Sequence, residues 1–241
     1  MALIFEDTFT EASTVALTSH TPSPTGTGWT EEVAAATAVA NVHSDDYVYA
    51  STTNTNNDLG VSAQPDPSEA DVDVEMKLSA LYTSTLAASF GVFARWADSS
   101  NYYGVQFLSN SHASDSVKLF KRVSGTFTEL DTVDATLAAN DVIKLEIRGS
   151  DIKVYQNGSE LLSASDSSIT AAGKAGIMWG MLTINGLHVH VNWRGDNFKV
   201  TEYASSGWAN IAKLDGIIAA DIAKINGVLV SDISKVNGVS V

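Results

Sequence analysis

The chain has 241 residues, is 44% hydrophobic, contains no cysteine and carries a formal net charge of −14. That length suits one large β domain or one domain with an appendage, and the apolar share is enough for a proper core. Absence of cysteine excludes disulfides and thiol nucleophiles, and the acidic balance repels nucleic-acid phosphates and anionic membranes.

The opening MALIFEDTFTE has no basic stretch followed by a long apolar one, so it does not read as a secretory signal. No apolar run approaches the roughly twenty residues that span a bilayer. Residues 3–9 alternate and predict a first strand, followed by a Pro/Gly/Thr/Ser loop over 14–29. Short strands are predicted at 38–42, 47–50 and 59–63, separated by polar turn residues such as those at 53–58. The signal then sharpens. Val72, Val74, Met76 and Leu78 alternate with Asp71, Asp73, Glu75 and Lys77, which predicts one buried and one wet face. Residues 88–96 and 102–108 read as a hairpin around 98–101, and 116–123 and 126–133 flank Ser124-Gly125. Ile143, Leu145 and Ile147 alternate with charged residues. Residues 152–155 and 160–164 flank Asn157-Gly158, a strong hairpin dipeptide. Strands at 174–180 and 187–203 complete the body. Many short alternating strands with almost no helix signal predict an all-β fold, an antiparallel jelly-roll sandwich whose first and last strands are neighbours.

The end of the chain is different. IAKLDGIIAAD, IAKINGVLVSD and ISKVNGVSV repeat with a period of eleven. Lys213, Lys224 and Lys235 fall in step with Gly216, Gly227 and Gly238, and the three Lys offset three Asp, so the excess negative charge lies in the body. Asn210, Asp221 and Asp232 are placed to cap a helical turn that the glycines end, before a β-branched run. The competing reading makes Asp215-Gly216, Asn226-Gly227 and Asn237-Gly238 hairpin turns. Either way the tail has too little to bury by itself. Ile211, Leu214, Ile217, Ile222, Ile225, Val228, Val230, Ile233, Val236 and Val239 are therefore expected to oligomerise or anchor it, with a trimer favoured. The expected domains are 1–203, the jelly roll, and 204–241, the repeat tail.

The segments FEDTFTEASTVALTSHTPSPTGTGWTE, NYYGVQF, KLFKRVSGTFTEL, IKVYQNGSELLSASDSSITAAGKAGI and WRGDNFKVTEY resemble concanavalin A-like (laminin-G-like) jelly-roll modules of bacterial and bacteriophage proteins. The resemblance covers about residues 3–203. It implies the fold and leaves lectin, glycanase and structural roles open. The tail resembles I-x-K-Φ-N-G-V repeats at the ends of phage structural proteins, which implies a virion component.

Several residues are candidate sites. Trp96, Tyr102, Gln106 and Trp179 are of the types that line a sugar-binding face, where rings stack on apolar sugar faces. Asp71, Asp73 and Glu75 share one strand face. A similar spacing carries the nucleophile and acid of laminarinase-type glycanases, whose pattern begins with Glu where this chain has Asp71. Retaining enzymes need carboxyls roughly 5 Å apart, and the alternative is a solvated strand face. His188 and His190 share a face and are weak metal candidates, the alternative being surface histidines. Arg194-Gly195-Asp196 spells an integrin-type tripeptide by coincidence. No Walker loop, dinucleotide fingerprint, HExxH, EF-hand or Gly-x-Ser-x-Gly motif is present. The expectation is a non-enzymatic virion structural protein, a capsid decoration, head-fibre or fibre-tip protein. Its alternative is a carbohydrate-binding lectin module for host glycans, and a lesser one is a glycanase using Asp71, Asp73 and Glu75. No cofactor is called for, a structural calcium ion is compatible with the pattern, and neither nucleic acid nor membrane insertion is expected.

Overall fold

The computed structural model describes residues 1–33, 39–51, 59–80, 88–109, 116–179 and 194–204, together with six two-residue strands in the tail. It divides into two compact units, Met1–Glu202 and Tyr203–Val241.

The first unit is a sandwich of two antiparallel sheets. The described strands are β1 (Ala2–Asp7), β2 (Val15–Ala16), β3 (Pro24–Thr25), β4 (Gly28–Val33), β5 (Val39–His43), β6 (Tyr47–Ser51), β7 (Leu59–Gln64), β8 (Asp71–Ala80) and β9 (Ala88–Asp98). They continue with β10 (Asn101–Ser109), β11 (Ser116–Val123), β12 (Thr126–Asp134), β13 (Val142–Arg148), β14 (Asp151–Gln156), β15 (Ser159–Ser165), β16 (Lys174–Trp179) and β17 (Arg194–Tyr203). One sheet has the order β15-β14-β13-β8-β17-β6-β5-β2, with β1 joining β17 and β3. The other runs β12-β11-β10-β9-β16-β7-β4.

Strand alternation produces the core. Val72, Val74, Met76 and Leu78 of β8 are buried and face the interior, as do Ile143, Leu145 and Ile147 of β13. Phe90 and Val92 of β9, Val105 and Phe107 of β10, and Ile177 and Trp179 of β16 meet them from the other sheet. Each such side chain contributes about 1.5–3 kcal/mol by leaving water. The Ser124-Gly125 and Asn157-Gly158 turns sit where expected, with positive φ at all four residues. The body's first and last strands do lie side by side, from Ala2 opposite Glu202 to Asp7 opposite Phe198.

Two expectations are corrected. Residues 14–29 are not one loop. They hold β2, a 3-10 turn at Leu17–Ser19, β3 and the start of β4. Trp29 is drawn into the core because its indole N–H donates to buried Asp7 Oδ2 at 2.7 Å, which supports a strand that composition alone reads as coil. In the tail, the paired residues are Lys213–Leu214 with Ile217–Ile218, Lys224–Ile225 with Val228–Leu229, and Lys235–Val236 with Val239–Ser240. These are antiparallel hairpin rungs flanking Asp215-Gly216, Asn226-Gly227 and Asn237-Gly238, the second of the two readings and not the capped helical turn. Asn210, Ile211, Gly216, Asp221, Ile222, Gly227, Val230, Asp232, Ile233 and Gly238 lie outside the described residues.

Candidate functional site

The outer face of the seven-stranded sheet is unlike that of its partner. Residues opposite one another in an antiparallel ladder share a face, so the register defines rows across it. One row is Gly60, Met178, Gly91, Gln106 and Lys118, and the next is Ser62, Gly176, Phe93, Gly104 and Phe120. Small and large residues alternate from Gly60 to Gln106 and from Gly176 to Phe120, and the rings fill the space above the glycines. A Cβ on Gly104 would come within 2.5 Å of Phe120 and 2.8 Å of Met178. The result is a second apolar cluster of Phe93, Trp96, Tyr102, Phe120 and Met178. Trp96 and Tyr102 stack at 4.4 Å, and Phe93 meets Trp96 at 4.7 Å.

A bulge makes this grouping possible. Arg95 has φ +49, and the β9 register shifts against both neighbours around it. The extra residue lets Phe93 and Trp96, three apart, point the same way. It also turns Arg95 inward, where Nε donates to Ala70 O at 2.8 Å and Nη1 to Ile169 O at 2.7 Å. Burial pulls this guanidinium below its usual range, with Asp71, at 3.4 Å, opposing.

At the β4 side the same face borders an open pocket of about 620 Å³. Thr18, Ser19, His20, Thr21, Thr27, Gly28, Trp29, Thr30, Gln64, Asp66 and Lys174 line it. Its Gln64, Asp66 and Lys174 are chained together through Ser62 and Glu32, outside the lining. Glu32 Oε1 accepts from Lys174 Nζ and from Ser62 Oγ, each at 2.7 Å. Gln64 Nε2 donates to Asp66 Oδ1 at 2.8 Å and to Ser62 Oγ at 3.3 Å. Lys174 is the cross-strand partner of Trp96, which joins the pocket to the aromatic cluster. Beneath it, His20 is held between Glu11 and Asp7, at 2.7 and 3.0 Å, and Asp7 also accepts from Trp29.

Of the four residues expected to line a sugar face, Trp96, Tyr102 and Gln106 come together on this side. Trp179 does not. Its parity sends it into the inter-sheet core against Phe90, at 5.4 Å. All four are at most 2% exposed, so none offers an open ring or amide to a sugar as it stands. Neither amide atom of Gln106 has a hydrogen-bond partner, a costly state for a buried group.

Asp71, Asp73 and Glu75 sit on the outer face of the ten-stranded sheet, and Asp73 lies within a web of ion pairs. Asp73 meets Arg148 at 2.7 Å and Lys144 at 3.6 Å, and Lys144 also meets Glu146 at 2.9 Å. Burial works against the Glu146 charge, but Lys144 and Arg148 outweigh it and hold the carboxyl below its usual range. The tripeptide residue Asp196 pairs with Lys77 at 2.7 Å, and Arg194 lies over the Tyr47 ring. His188 and His190 fall outside the described residues. Among the described residues no group of three or more His, Asp or Glu could hold a metal, and no helix is long and apolar enough to cross a membrane. The pocket and its His20 floor escaped sequence reading, because Asp7, Glu11, His20, Gln64 and Lys174 follow no common spacing.

No family model matches the sequence, and no curated protein matches it. Solved structures do resemble it. A protein of unknown function with a galectin-like fold from Bacillus subtilis superposes with TM-score 0.55 and 11% identity, over 83% of this chain and 96% of that one. The catalytic domain of an endo-1,3-beta-glucanase (laminarinase) from Thermotoga petrophila gives TM-score 0.51 and 8% identity, over 83% and 97%. The carbohydrate-binding module CBM66 from Bacillus subtilis gives TM-score 0.48 and 18% identity, over 73% and 92%. The body thus has the fold of galectin-like, concanavalin A-like jelly-roll modules.

Proposed function

We propose that the body is a carbohydrate-binding module without catalytic activity, and that the pocket beside Trp96 is where sugar binds. The observation that carries this is the pocket itself. Its volume is in the range of small-molecule sites, it opens to solvent, and Thr21, Thr30, Gln64, Asp66 and Lys174 offer both donors and acceptors. Sugar hydroxyls are donors and acceptors at once. Fold likeness does not choose the function, although the Thermotoga glucanase and the Bacillus module with this architecture are both named for carbohydrate. The Asp73 carboxylate is engaged by two cations, which supports reading β8 as a solvated face and not as catalytic machinery. A glycan array with the full chain, alongside Asp66→Ala and Lys174→Met, tests the reading. A hit weakened tenfold or more by either substitution is expected. Silence across neutral, amino and acidic glycans removes it.

The tail supports a second, compatible role in assembly. Its rungs form three separate two-stranded ladders, and such hairpins are marginal alone. Three equal hairpins in a neutral segment, attached to an acidic body, favour association through the tail with other copies. A trimer displayed on a virion is the form we propose. Light scattering of the chain with and without residues 204–241 decides it: an unchanged mass ends the assembly role.

A further inference from the structure

His20 touches the pocket with one edge and is otherwise enclosed, its side chain 1% exposed. Its two ring nitrogens both face carboxylate oxygens: Nδ1 lies 2.7 Å from Glu11 Oε1, and Nε2 lies 3.0 Å from Asp7 Oδ1. A neutral imidazole has a single N–H and would turn a lone pair on one of the two. The imidazolium alone satisfies both.

The two carboxylates are not equivalent. Asp7 is fully buried on β1 and keeps two other donors, the Phe9 amide at 2.8 Å and the Trp29 indole at 2.7 Å. Glu11 has a side chain 26% exposed, in the connection between β1 and β2. When the proton leaves, the remaining N–H stays with walled-in Asp7, and the Nδ1 lone pair turns on Glu11. Water can then take over the Glu11 carboxylate. Other groups on this side are the Phe9 ring, 6.2 Å away, the Trp29 indole from β4, and Asp66 and Lys174 in the pocket lining.

We propose that Glu11 and His20 form a proton-dependent clamp on the pocket wall: the protonated imidazole fixes residues 8–21, and its neutral form releases Glu11, so that ligand binding in the pocket weakens as pH rises. Burial works against the charge on His20, but the hydrogen bonds to Asp7 and Glu11 outweigh it and raise the imidazole above its ordinary range. Only the ligand consequence rests on the carbohydrate reading.

The test follows the His20 imidazole and the backbone amides of residues 8–14 by NMR across pH, in the full chain and in Glu11→Gln. The amides are expected to respond with the midpoint of His20. In Glu11→Gln that midpoint should fall by about one pH unit, as expected when a neighbouring opposite charge is removed, and the response at 8–14 should vanish. The clamp is overturned if those amides do not follow His20 in the wild type. It is also overturned if Glu11→Gln leaves the midpoint in place. Should Glu11→Gln not fold, the wild-type titration decides alone. Sugar binding that drops tenfold across the same midpoint supports the ligand consequence, and pH-independent binding overturns it. A coupled titration in a chain that binds no sugar keeps the clamp and removes the carbohydrate reading.

Discussion

Gly176 sets a sharp test of how the seven-stranded sheet is packed. It lies in β16, between β7 and β9, opposite Ser62 on one side and Phe93 on the other. A Cβ there would stand 2.1 Å from the Val61 carbonyl oxygen, 2.5 Å from Phe93 Cζ and 2.8 Å from Ser62 Cα, where ordinary contact begins at 3.4 Å. Two of these neighbours are backbone, so no rotamer change relieves them. Strand β7 must retreat by more than an ångström, and β9 blocks β16 from moving the other way. Overpacking costs about 1–3 kcal/mol, and breaking one or two ladder hydrogen bonds adds about 1 kcal/mol each. Gly176→Ala should therefore destabilise the body by roughly 3 kcal/mol, or near 10 °C in Tm at about 2–4 °C per kcal/mol. Urea unfolding with an unchanged m-value is the assay. Gly149→Ala is the control. That residue has φ +58 and nothing within 4 Å of the added methyl, so only the left-handed backbone is strained, at about 1–2 kcal/mol. If Gly176→Ala costs no more than Gly149→Ala, the packing argument is wrong.

Other consequences are equally direct. Tyr103→Phe removes the donor to Asp166, at 2.6 Å, and the acceptor of the Ile169 amide, at 3.2 Å, and should cost about 1–3 kcal/mol in a urea melt. In the wild type, burial and the Asp166 bond push the Tyr103 phenol up to about 12, so its phenolate absorbance should appear after that of exposed tyrosines in an alkaline titration. Asp166 is held well below the carboxylate range, because Lys121, Tyr103 and Ser168 outweigh the opposing effect of burial. A depressed folded value contributes stability above about pH 4 that is lost as pH falls, so Lys121→Met should flatten the acid limb of a stability–pH curve. His20 has the opposite sign. Its raised value contributes stability below about pH 6.5 that is lost as pH rises, and His20→Gln should remove that slope. Asp73→Asn weakens a largely buried pairing with Arg148 and Lys144 and should cost about 1–3 kcal/mol, while leaving reducing-sugar release from β-glucans at the level of the wild type.

The parts of the fold that could be read from sequence are those where a local rule acts alone. Period-two alternation located β8 and β13, and glycine dipeptides located the β11–β12 and β14–β15 turns, because each needs only neighbouring residues. The 14–29 segment reads as loop because its order comes from Asp7, fourteen or more residues from most of the segment, which gathers His20, Trp29 and the Phe9 amide around one carboxylate. The tail was ambiguous for a different reason: Asp-Gly and Asn-Gly serve a helix end and a hairpin turn equally well. Of the four residues expected on a sugar face, Trp179 is the one on the wrong side: alternation along β16 from outward Gly176 sends it into the core. Trp96 reaches the outer face only against the rule, since strict alternation from Phe93 would send it inward. One residue in the left-handed region, Arg95, reverses the parity of everything after it in β9. No apolar pattern records that reversal, since both faces of this sheet are apolar and either assignment looks well formed. What selects the bulge is the guanidinium, which finds the Ala70 and Ile169 carbonyls and Asp71 only when β9 slips. The aromatic cluster beside the pocket is thus positioned by a buried cation whose guanidinium is anchored on Ala70, Ile169 and Asp71.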